Sequence, residues 1–175
     1  MWGPRLYRYF LRLGAASEEA QDLTQETLLR AVRHLRTGPP PGDLAAWLFA
    51  VAANLLRDDR RSAYRRRVLV GDPPELSAEA AEPGPALAVE ARAANEHRRA
   101  ALGAALRSLA PDLREIVVLR FWEEQPVRAI AEIIGIPEGT VKSRLYRAYR
   151  QLERVLADWR PGGRAGDGEG DGGLA

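Results

Sequence analysis

The sequence predicts an all-α protein made of two small helical domains joined by a flexible linker. Apolar residues recur every three or four positions through residues 5–67 and again through 97–160, which is the period of amphipathic helices. Runs that alternate apolar and polar residues, as strands do, are almost absent. Between the two helical stretches, residues 68–96 are acidic and contain proline and glycine, which is typical of a linker. The predicted boundaries are therefore 1–67 and 97–160 for the domains, 68–96 for the linker and 161–175 for a disordered tail.

Composition limits the classes of function. The 175 residues include no cysteine, so a disulfide framework and a thiolate metal site are excluded. No apolar run approaches the roughly 20 residues that a membrane span needs, and the N-terminus lacks the long apolar core of a secretory signal. We therefore expect a cytoplasmic protein without membrane insertion.

The basic residues are almost all arginine, since only Lys142 among the 26 is lysine. Arginine binds phosphate and guanine through two parallel hydrogen bonds, which favours a nucleic-acid partner. The same bias also fits the codon usage of a GC-rich genome, because alanine, glycine and proline are abundant as well. Composition alone leaves both interpretations open.

The helix predicted at 20–35 has two distinct faces. The core face consists of Ala20, Thr24, Leu28, Ala31 and Leu35. The opposite face consists of Asp22, Gln25, Glu26, Leu29 and Arg33. An acidic exposed face that includes a leucine fits a docking surface for a basic partner. It fits equally a solvated helix face with one incidental leucine, because single exposed apolar residues are common.

The stretch GPPPG at 38–42 ends that helix, and Asp43 is the predicted N-cap of the next one, which starts at Leu44. Its predicted buried face consists of Leu44, Trp47, Leu48, Val51 and Leu55. Its predicted open stripe consists of Phe49, Ala53, Arg57, Arg60 and Tyr64, with Asn54 at the edge and Arg61 continuing the basic run. Aromatic rings interleaved with arginines favour binding of single-stranded DNA. The alternative is an amphipathic helix that ends in a solvated charge cluster, partly neutralised by Asp58 and Asp59.

The segment 126–152 has the pattern of a helix-turn-helix, two short helices around a tight turn. Gly135 stands where the first helix must end, and glycine tolerates the left-handed conformation of a C-terminal cap. The predicted buried stripe of the second helix consists of Val141, Leu145, Ala148 and Leu152. Its outward side carries the hydrogen-bond donors Ser143, Tyr146, Arg147, Arg150 and Arg154, with Lys142 and Arg144 on the flanks. Such a helix can pack on its own domain with the buried stripe and contact DNA with the outward side at the same time.

Three blocks, in this order, resemble one family. They are SEEAQDLTQETLLRAVRHL (17–35), AAWLFAVAANLLRDDRR (45–61) and SLAPDLREIVVLRFWEEQPVRAIAEIIGIPEGTVKSRLYRAYRQLERVL (108–156). Together they resemble a bacterial sigma factor of the sigma-70 family, in its extracytoplasmic-function (ECF) group. The first block is similar to the core-binding helix of that group, the second to its promoter-melting helix and the third to its C-terminal domain.

The resemblance implies an RNA polymerase sigma factor that has no catalytic chemistry. Its partners would be core RNA polymerase, promoter DNA and an anti-sigma factor, with no cofactor, metal or small-molecule substrate. The clamp coiled coil of the largest polymerase subunit would be contacted by Asp22, Gln25, Glu26 and Leu29. The −10 element would be engaged by Phe49, Asn54, Arg57, Arg60 and Arg61. The −35 element would be read by Thr140, Lys142, Ser143, Tyr146 and Arg147. To these sets the periodicity of the two helices adds Tyr64 and Arg150.

Two other classes of protein compete with this interpretation. A stand-alone repressor or activator could use the same helix-turn-helix, but the acidic face of 20–35 and the stripe of 49–64 would then have no role. An enzyme acting on DNA is disfavoured by the residues available. The chain has only two histidines, His34 and His97, and no glycine-rich phosphate loop that leads into a helix with lysine.

Overall fold

The computed structural model describes residues 1–70 and 100–157, with side chains described through Arg65 in the first range. All regular structure in these two ranges is helical, which confirms the predicted all-α class. The N-terminal domain consists of α1 (Gly3–Arg12), α2 (Ser17–Thr37) and α3 (Leu44–Val70). The C-terminal domain begins with helical residues 100–108 (α4) and continues with α5 (Pro111–Phe121), α6 (Val127–Ile134) and α7 (Glu138–Ala157).

Local signals mark both ends of α2, which extends a few residues beyond the predicted 20–35, and the start of α3, which is at Leu44 as predicted. The backbone N–H of Ala16 donates to the Glu19 carboxylate at 3.1 Å, which satisfies a free donor at the start of α2. After α2 ends at Thr37, the proline-rich stretch cannot continue a helix. Asp43 Oδ1 then accepts a hydrogen bond from the Ala46 N–H at 2.9 Å, so the predicted N-cap of α3 is confirmed.

The predicted core faces of α2 and α3 are correct in their centres and wrong at their ends. On α2, Ala20, Thr24 and Ala31 are buried, but Leu35 is exposed. The partner helix α1 has 10 residues against the 21 of α2, so it is too short to cover the last turns of α2. On α3, Leu44 is exposed as well, because it belongs to the first turn, next to the exposed loop.

The helix-turn-helix forms as predicted. Gly135 adopts φ 79° and ψ 38°, the left-handed conformation, and its N–H donates to the Ala131 carbonyl at 2.8 Å. In α7, the side chains of Val141, Leu145 and Ala148 are buried, which confirms the predicted stripe. The turn therefore fixes how α7 lies on its own domain, and the stripe decides which side of α7 faces outward.

The two domains pack against each other within the described ranges. Helix α3 lies against α6, and buried side chains of both domains form one continuous apolar core. Charged groups accompany this contact: Arg5 pairs with Glu123, and Arg57 with Glu115. The predicted division into two domains joined only by a linker therefore omits a direct contact between them.

Most of the predicted linker, 68–96, and the whole predicted tail, 161–175, lie outside the described residues. Helix α3 continues to Val70, so residues 68–70 are helical and not part of a linker. The reason is local, because no proline or glycine interrupts the sequence before Gly71.

Candidate docking and nucleic-acid interfaces

The exposed face of α2 combines acidic and apolar side chains. Asp22 and Gln25 are exposed, and Glu26 accepts a hydrogen bond from Arg30 Nε at 2.8 Å across one helical turn. Leu29 is 50% exposed, as the sequence predicts, and Val32, which the sequence analysis did not single out, is 54% exposed. The face is therefore acidic towards the N-terminus of α2, whereas towards its C-terminus the exposed Leu29 and Val32 lie beside the exposed Arg33.

Carboxylates also line an open hollow between α2 and α3. Its acidic members are Glu18, Glu19, Asp22, Glu26 and Asp59. Within the described ranges, no group of three or more histidine, cysteine or acidic side chains is arranged to hold a metal ion. The excess of negative charge makes this side of the protein electrostatically complementary to a basic surface.

The predicted stripe on α3 is not one continuous open surface. Phe49 is 0% exposed, and its ring packs against Tyr9 with the ring centroids 5.2 Å apart. Ala53 is equally buried. The prediction that Phe49 contacts DNA is wrong for this arrangement of the chain, because a base can stack only on a ring whose face is accessible. The physical cause is the central position of α3, which is covered by α1 and α2 within its own domain and by α6 of the other domain.

The middle of the stripe is occupied by contacts with other parts of the chain. Arg57 donates to Asn54 Oδ1 at 2.7 Å and lies 3.7 Å from the Glu115 carboxylate of the C-terminal domain. Arg60 donates to the backbone carbonyl of Leu13. Beyond them, Arg61 is exposed and Tyr64 is 70% exposed. An exposed arginine and an exposed ring thus remain available at the C-terminal end of the stripe.

The contact between the domains encloses the carboxyl group of Glu115. Burial raises the pKa of the Glu115 carboxyl above its ordinary value, and the opposing effects of Arg57 and of a hydrogen bond from Tyr9 are smaller. Burial also raises the pKa of the Tyr9 hydroxyl, and the nearby Glu115 charge acts in the same direction. The two groups lie 3.4 Å apart, with the hydroxyl donating to the carboxylate.

The outward side of α7 is exposed along its length. The exposed members of the predicted set are Lys142, Ser143, Tyr146, Arg147 and Arg150. Thr140 is half-buried at the N-terminal edge, where its carbonyl accepts a hydrogen bond from Ser143 Oγ at 3.0 Å. Arg144, on the flank, lies 3.6 Å from Asp112. The helix therefore presents a row of donors on the side opposite its buried stripe, as a recognition helix requires.

Sequence reasoning missed three charged residues of the domain contact, Arg5, Arg12 and Glu123. Arg5 and Arg12 on α1 both reach the carboxylate of Glu123, at 2.6 and 3.6 Å. No local pattern links these residues, since Arg5 and Glu123 are 118 positions apart. The one available signal is Glu123 itself, a charged residue that directly follows an apolar run.

Comparison with known proteins agrees with this architecture. The sequence matches the family description "Sigma-70 region 2" over residues 1–66 and "Sigma-70, region 4" over residues 99–152. It is 37% identical over 154 residues to the ECF RNA polymerase sigma factor SigL of Mycobacterium tuberculosis, covering 87% of this chain and 83% of SigL. It is 38% identical over 155 residues to BldN of Streptomyces coelicolor, covering 87% of this chain and 56% of BldN.

Two solved structures share the fold. The sigma factor RpoE of Bartonella quintana, in complex with the anti-sigma factor NepR, superposes with a TM-score of 0.72 at 26% identity, covering 90% of this chain and 93% of that one. CnrH in complex with the cytosolic domain of CnrY superposes with a TM-score of 0.63 at 20% identity, covering 91% and 84%. The second likeness concerns the fold alone.

Two helical domains, the second built on a helix-turn-helix with an outward row of donors, define a DNA-binding protein of the transcription machinery. The chain belongs to the sigma-70 family, in its ECF group of RNA polymerase sigma factors. Its role is promoter recognition in the initiation of transcription. None of the helices in the described ranges is both long and apolar enough to cross a membrane.

Proposed function

We propose that this sigma factor binds core RNA polymerase through the exposed face of α2, with Asp22, Gln25, Glu26 and Leu29 in contact. The observation that carries the proposal is the combination of carboxylates and accessible Leu29 on one helix face. Carboxylates would pair with a basic partner, and the leucine would supply apolar contact at the centre of the interface. A stand-alone repressor would have no use for such a face.

We propose that the single-stranded −10 element binds along α3 and the duplex −35 element along α7. On α3, the supporting observations are the exposed Asn54, Arg61 and Tyr64, whose ring is accessible to a base. Arg57 and Arg60 would join them once released from their present partners. On α7 the contacts would come from Thr140, Lys142, Ser143, Tyr146, Arg147 and Arg150.

We infer that the protein acts in the cytoplasm, without catalytic chemistry of its own, as an adaptor between polymerase and promoter. An anti-sigma factor is the expected regulatory partner, because the similar RpoE of Bartonella quintana is in complex with one. The adaptor gains affinity by linkage: once one domain is bound, the second contact is intramolecular, so neither small domain has to bind tightly alone.

The docking face is tested by Glu26→Lys. Reversing this charge places a cation against the proposed basic partner, so the affinity for core polymerase should fall by about tenfold or more. Binding is measured by the mobility of labelled sigma factor with purified core enzyme, and helicity by circular dichroism.

A matched control is Glu132→Lys on α6. Glu132 is also an exposed carboxylate in a pair with an arginine one turn away, here Arg128 at 3.2 Å. This control should assemble as the wild type does. Equal assembly by Glu26→Lys would remove the α2 face from the proposal, while run-off transcription by the same holoenzyme would still report the function of the protein.

A further inference from the structure

The loop between α5 and α6 inserts a charged group and an aromatic ring against α1. Glu123 is 1% exposed, and its carboxylate lies 2.6 Å from Arg5 Nε and 3.6 Å from Arg12 Nη1. Arg5 Nη2 also donates to the Glu123 carbonyl at 2.9 Å. The indole of the preceding residue, Trp122, lies 5.6 Å from the guanidinium of Arg12. We call Trp122 and Glu123 the plug.

The surface that receives the plug is built from α1. Arg5 and Arg12 are seven positions apart, so they share one face of the helix and lie about 10 Å apart along its axis. The guanidinium of Arg5 is placed over the Trp2 ring at 5.1 Å and over the Phe49 ring at 5.3 Å. Burial lowers the pKa of the Arg12 guanidinium, and the Glu123 charge opposes that effect. We call Trp2, Arg5 and Arg12 the α1 cradle.

The plug contains the two kinds of chemical group that a nucleotide offers to a protein, a flat aromatic ring and an anion. It places a flat aromatic ring on one guanidinium and an anion between two of them. Guanidinium groups stack on bases and bind phosphate oxygens through paired hydrogen bonds, which makes them the usual receptors for such a combination. At the same junction Glu115, another carboxylate of the C-terminal domain, lies beside Arg57.

The plug is held in a defined conformation by its own loop. Glu124, the next residue, has a φ of 54°, a left-handed conformation that is uncommon for a residue other than glycine. The Glu123 N–H donates to the Val118 carbonyl at 3.1 Å, and Gln125 Nε2 donates to the Glu123 carbonyl at 2.9 Å. A strained residue that neighbouring bonds hold in place is a feature found more often at functional sites than elsewhere.

We propose that the α1 cradle is a binding site for one nucleotide of single-stranded DNA, and that the plug occupies this site while the two domains are in contact. The inference rests on the proposed function of α3 in binding the −10 strand, because it extends that strand's path onto α1. DNA and the C-terminal domain then compete for the same arginines. The apparent affinity of the cradle for a single strand is then its intrinsic affinity multiplied by the fraction of molecules in which the cradle is open.

The test uses the full chain without polymerase and a short fluorescein-labelled oligothymidine, with binding measured by fluorescence anisotropy. Glu123→Gln keeps the size of the side chain but removes the charge that holds the plug. This variant should bind the oligothymidine about five- to tenfold more tightly than the wild type. The control is Glu124→Gln, which removes the same charge from the exposed neighbour and should change binding by less than about twofold.

A second pair of variants tests whether Arg5 is one of the groups that bind the oligonucleotide. Adding Arg5→Ala to Glu123→Gln should remove the gain, whereas adding Arg128→Ala, which deletes an exposed arginine of α6, should leave it. Equal affinities for Glu123→Gln and Glu124→Gln, or a gain that survives Arg5→Ala, would overturn the proposal. In Glu123→Gln, photocrosslinking of a bromodeoxyuridine oligonucleotide should give adducts within residues 2–12. Adducts confined to α3 and α7 in this variant would overturn the proposal.

Failure of the cradle can be told apart from failure of the proposed function. Run-off transcription with core polymerase, carried out on the same preparations, reports promoter recognition independently of the free protein's affinity for oligothymidine. Transcription by a wild type whose Glu123→Gln variant shows no gain would reject the cradle alone. If the wild type fails to direct transcription but Glu123→Gln binds oligothymidine more tightly, the −10 assignment is rejected and the single-strand site on α1 is kept.

Discussion

At the scale of single residues, Glu115 shows how the contact between the domains changes the pKa of a carboxyl group. Its carboxylate is enclosed between Tyr9 and Arg57, which belong to the other domain. Removal from water penalises the charged form more than the arginine stabilises it, so the pKa of the carboxyl is raised. A raised pKa in the folded state means that the neutral form favours folding more than the charged form does.

The expected consequence is a pH-dependent difference between the wild type and Glu115→Gln. The contribution of Glu115 to stability is fully present below its unfolded pKa and is lost as the pH rises through its folded pKa. At neutral pH the variant, which is always uncharged, should therefore be at least as stable as the wild type. Acidification should raise the stability of the wild type relative to the variant. Urea unfolding at a series of pH values measures the difference in free energy of unfolding.

The control for this titration is Glu132→Gln, an exposed carboxylate on α6. It should change the free energy of unfolding at neutral pH by about 0.5 kcal/mol or less, because an exposed pair contributes little and is screened by salt. A neutral-pH loss of stability in Glu115→Gln that exceeds about 1 kcal/mol would mean that the Arg57 ion pair outweighs the cost of burial.

At the scale of elements, the turn between α6 and α7 depends on one backbone conformation. Gly135 and Gly139 both have open space where a Cβ atom would be placed, but only Gly135 has a positive φ. Gly139 lies in the first turn of α7. The two glycines therefore separate the effect of backbone conformation from that of packing.

Gly135→Ala should destabilise the protein by about 1–2 kcal/mol, the cost of a left-handed conformation for a residue with a Cβ atom. Gly139→Ala should stabilise it by up to about 1 kcal/mol, because alanine loses less entropy than glycine in a helix. Thermal or urea unfolding of the two variants measures both effects. Equal shifts of the same sign would show that the turn conformation is not what Gly135 contributes.

The elements that the sequence predicts correctly are those defined by neighbouring residues. The glycine cap of α6, the Asp43 cap of α3 and the buried stripe of α7 all follow from patterns within one helical turn or two. Periodicity shows which residues share a face of a helix, but not how many faces a neighbour covers. Periodicity therefore predicts Phe49 on an open stripe, although α3 is covered from more than one side.

At the scale of the whole molecule, the same limit applies to the contact between the domains. Its charged residues come from α1 and α3 on one side and from α5 and the following loop on the other. In the sequence, each of these residues is compatible with a solvated surface. Their pairing depends on how the two domains pack, and that packing places Arg57 against protein groups. In this arrangement the Arg57 guanidinium is paired with Asn54 and Glu115, so the proposed DNA contact of Arg57 would compete with the contact between the domains.

The strength of the contact between the domains is tested by Arg5→Gln, which removes the Arg5–Glu123 ion pair and the hydrogen bond from Arg5 to the Glu123 carbonyl. Leaving Glu123 buried without this partner should cost the contact about 1–2 kcal/mol, a discounted value because Arg5 is itself partly exposed. The ratio of separated to closed molecules should then rise about 5- to 30-fold.

Since the chain has no cysteine, cysteines introduced at the exposed positions Arg36 and Arg154 can carry two labels. Distance distributions between the labels measure the two populations. Arg8→Gln, an equal charge change at an exposed position of α1, should leave the distribution unchanged. A closed distribution in Arg5→Gln would show that the domains stay in contact without the Arg5–Glu123 pair.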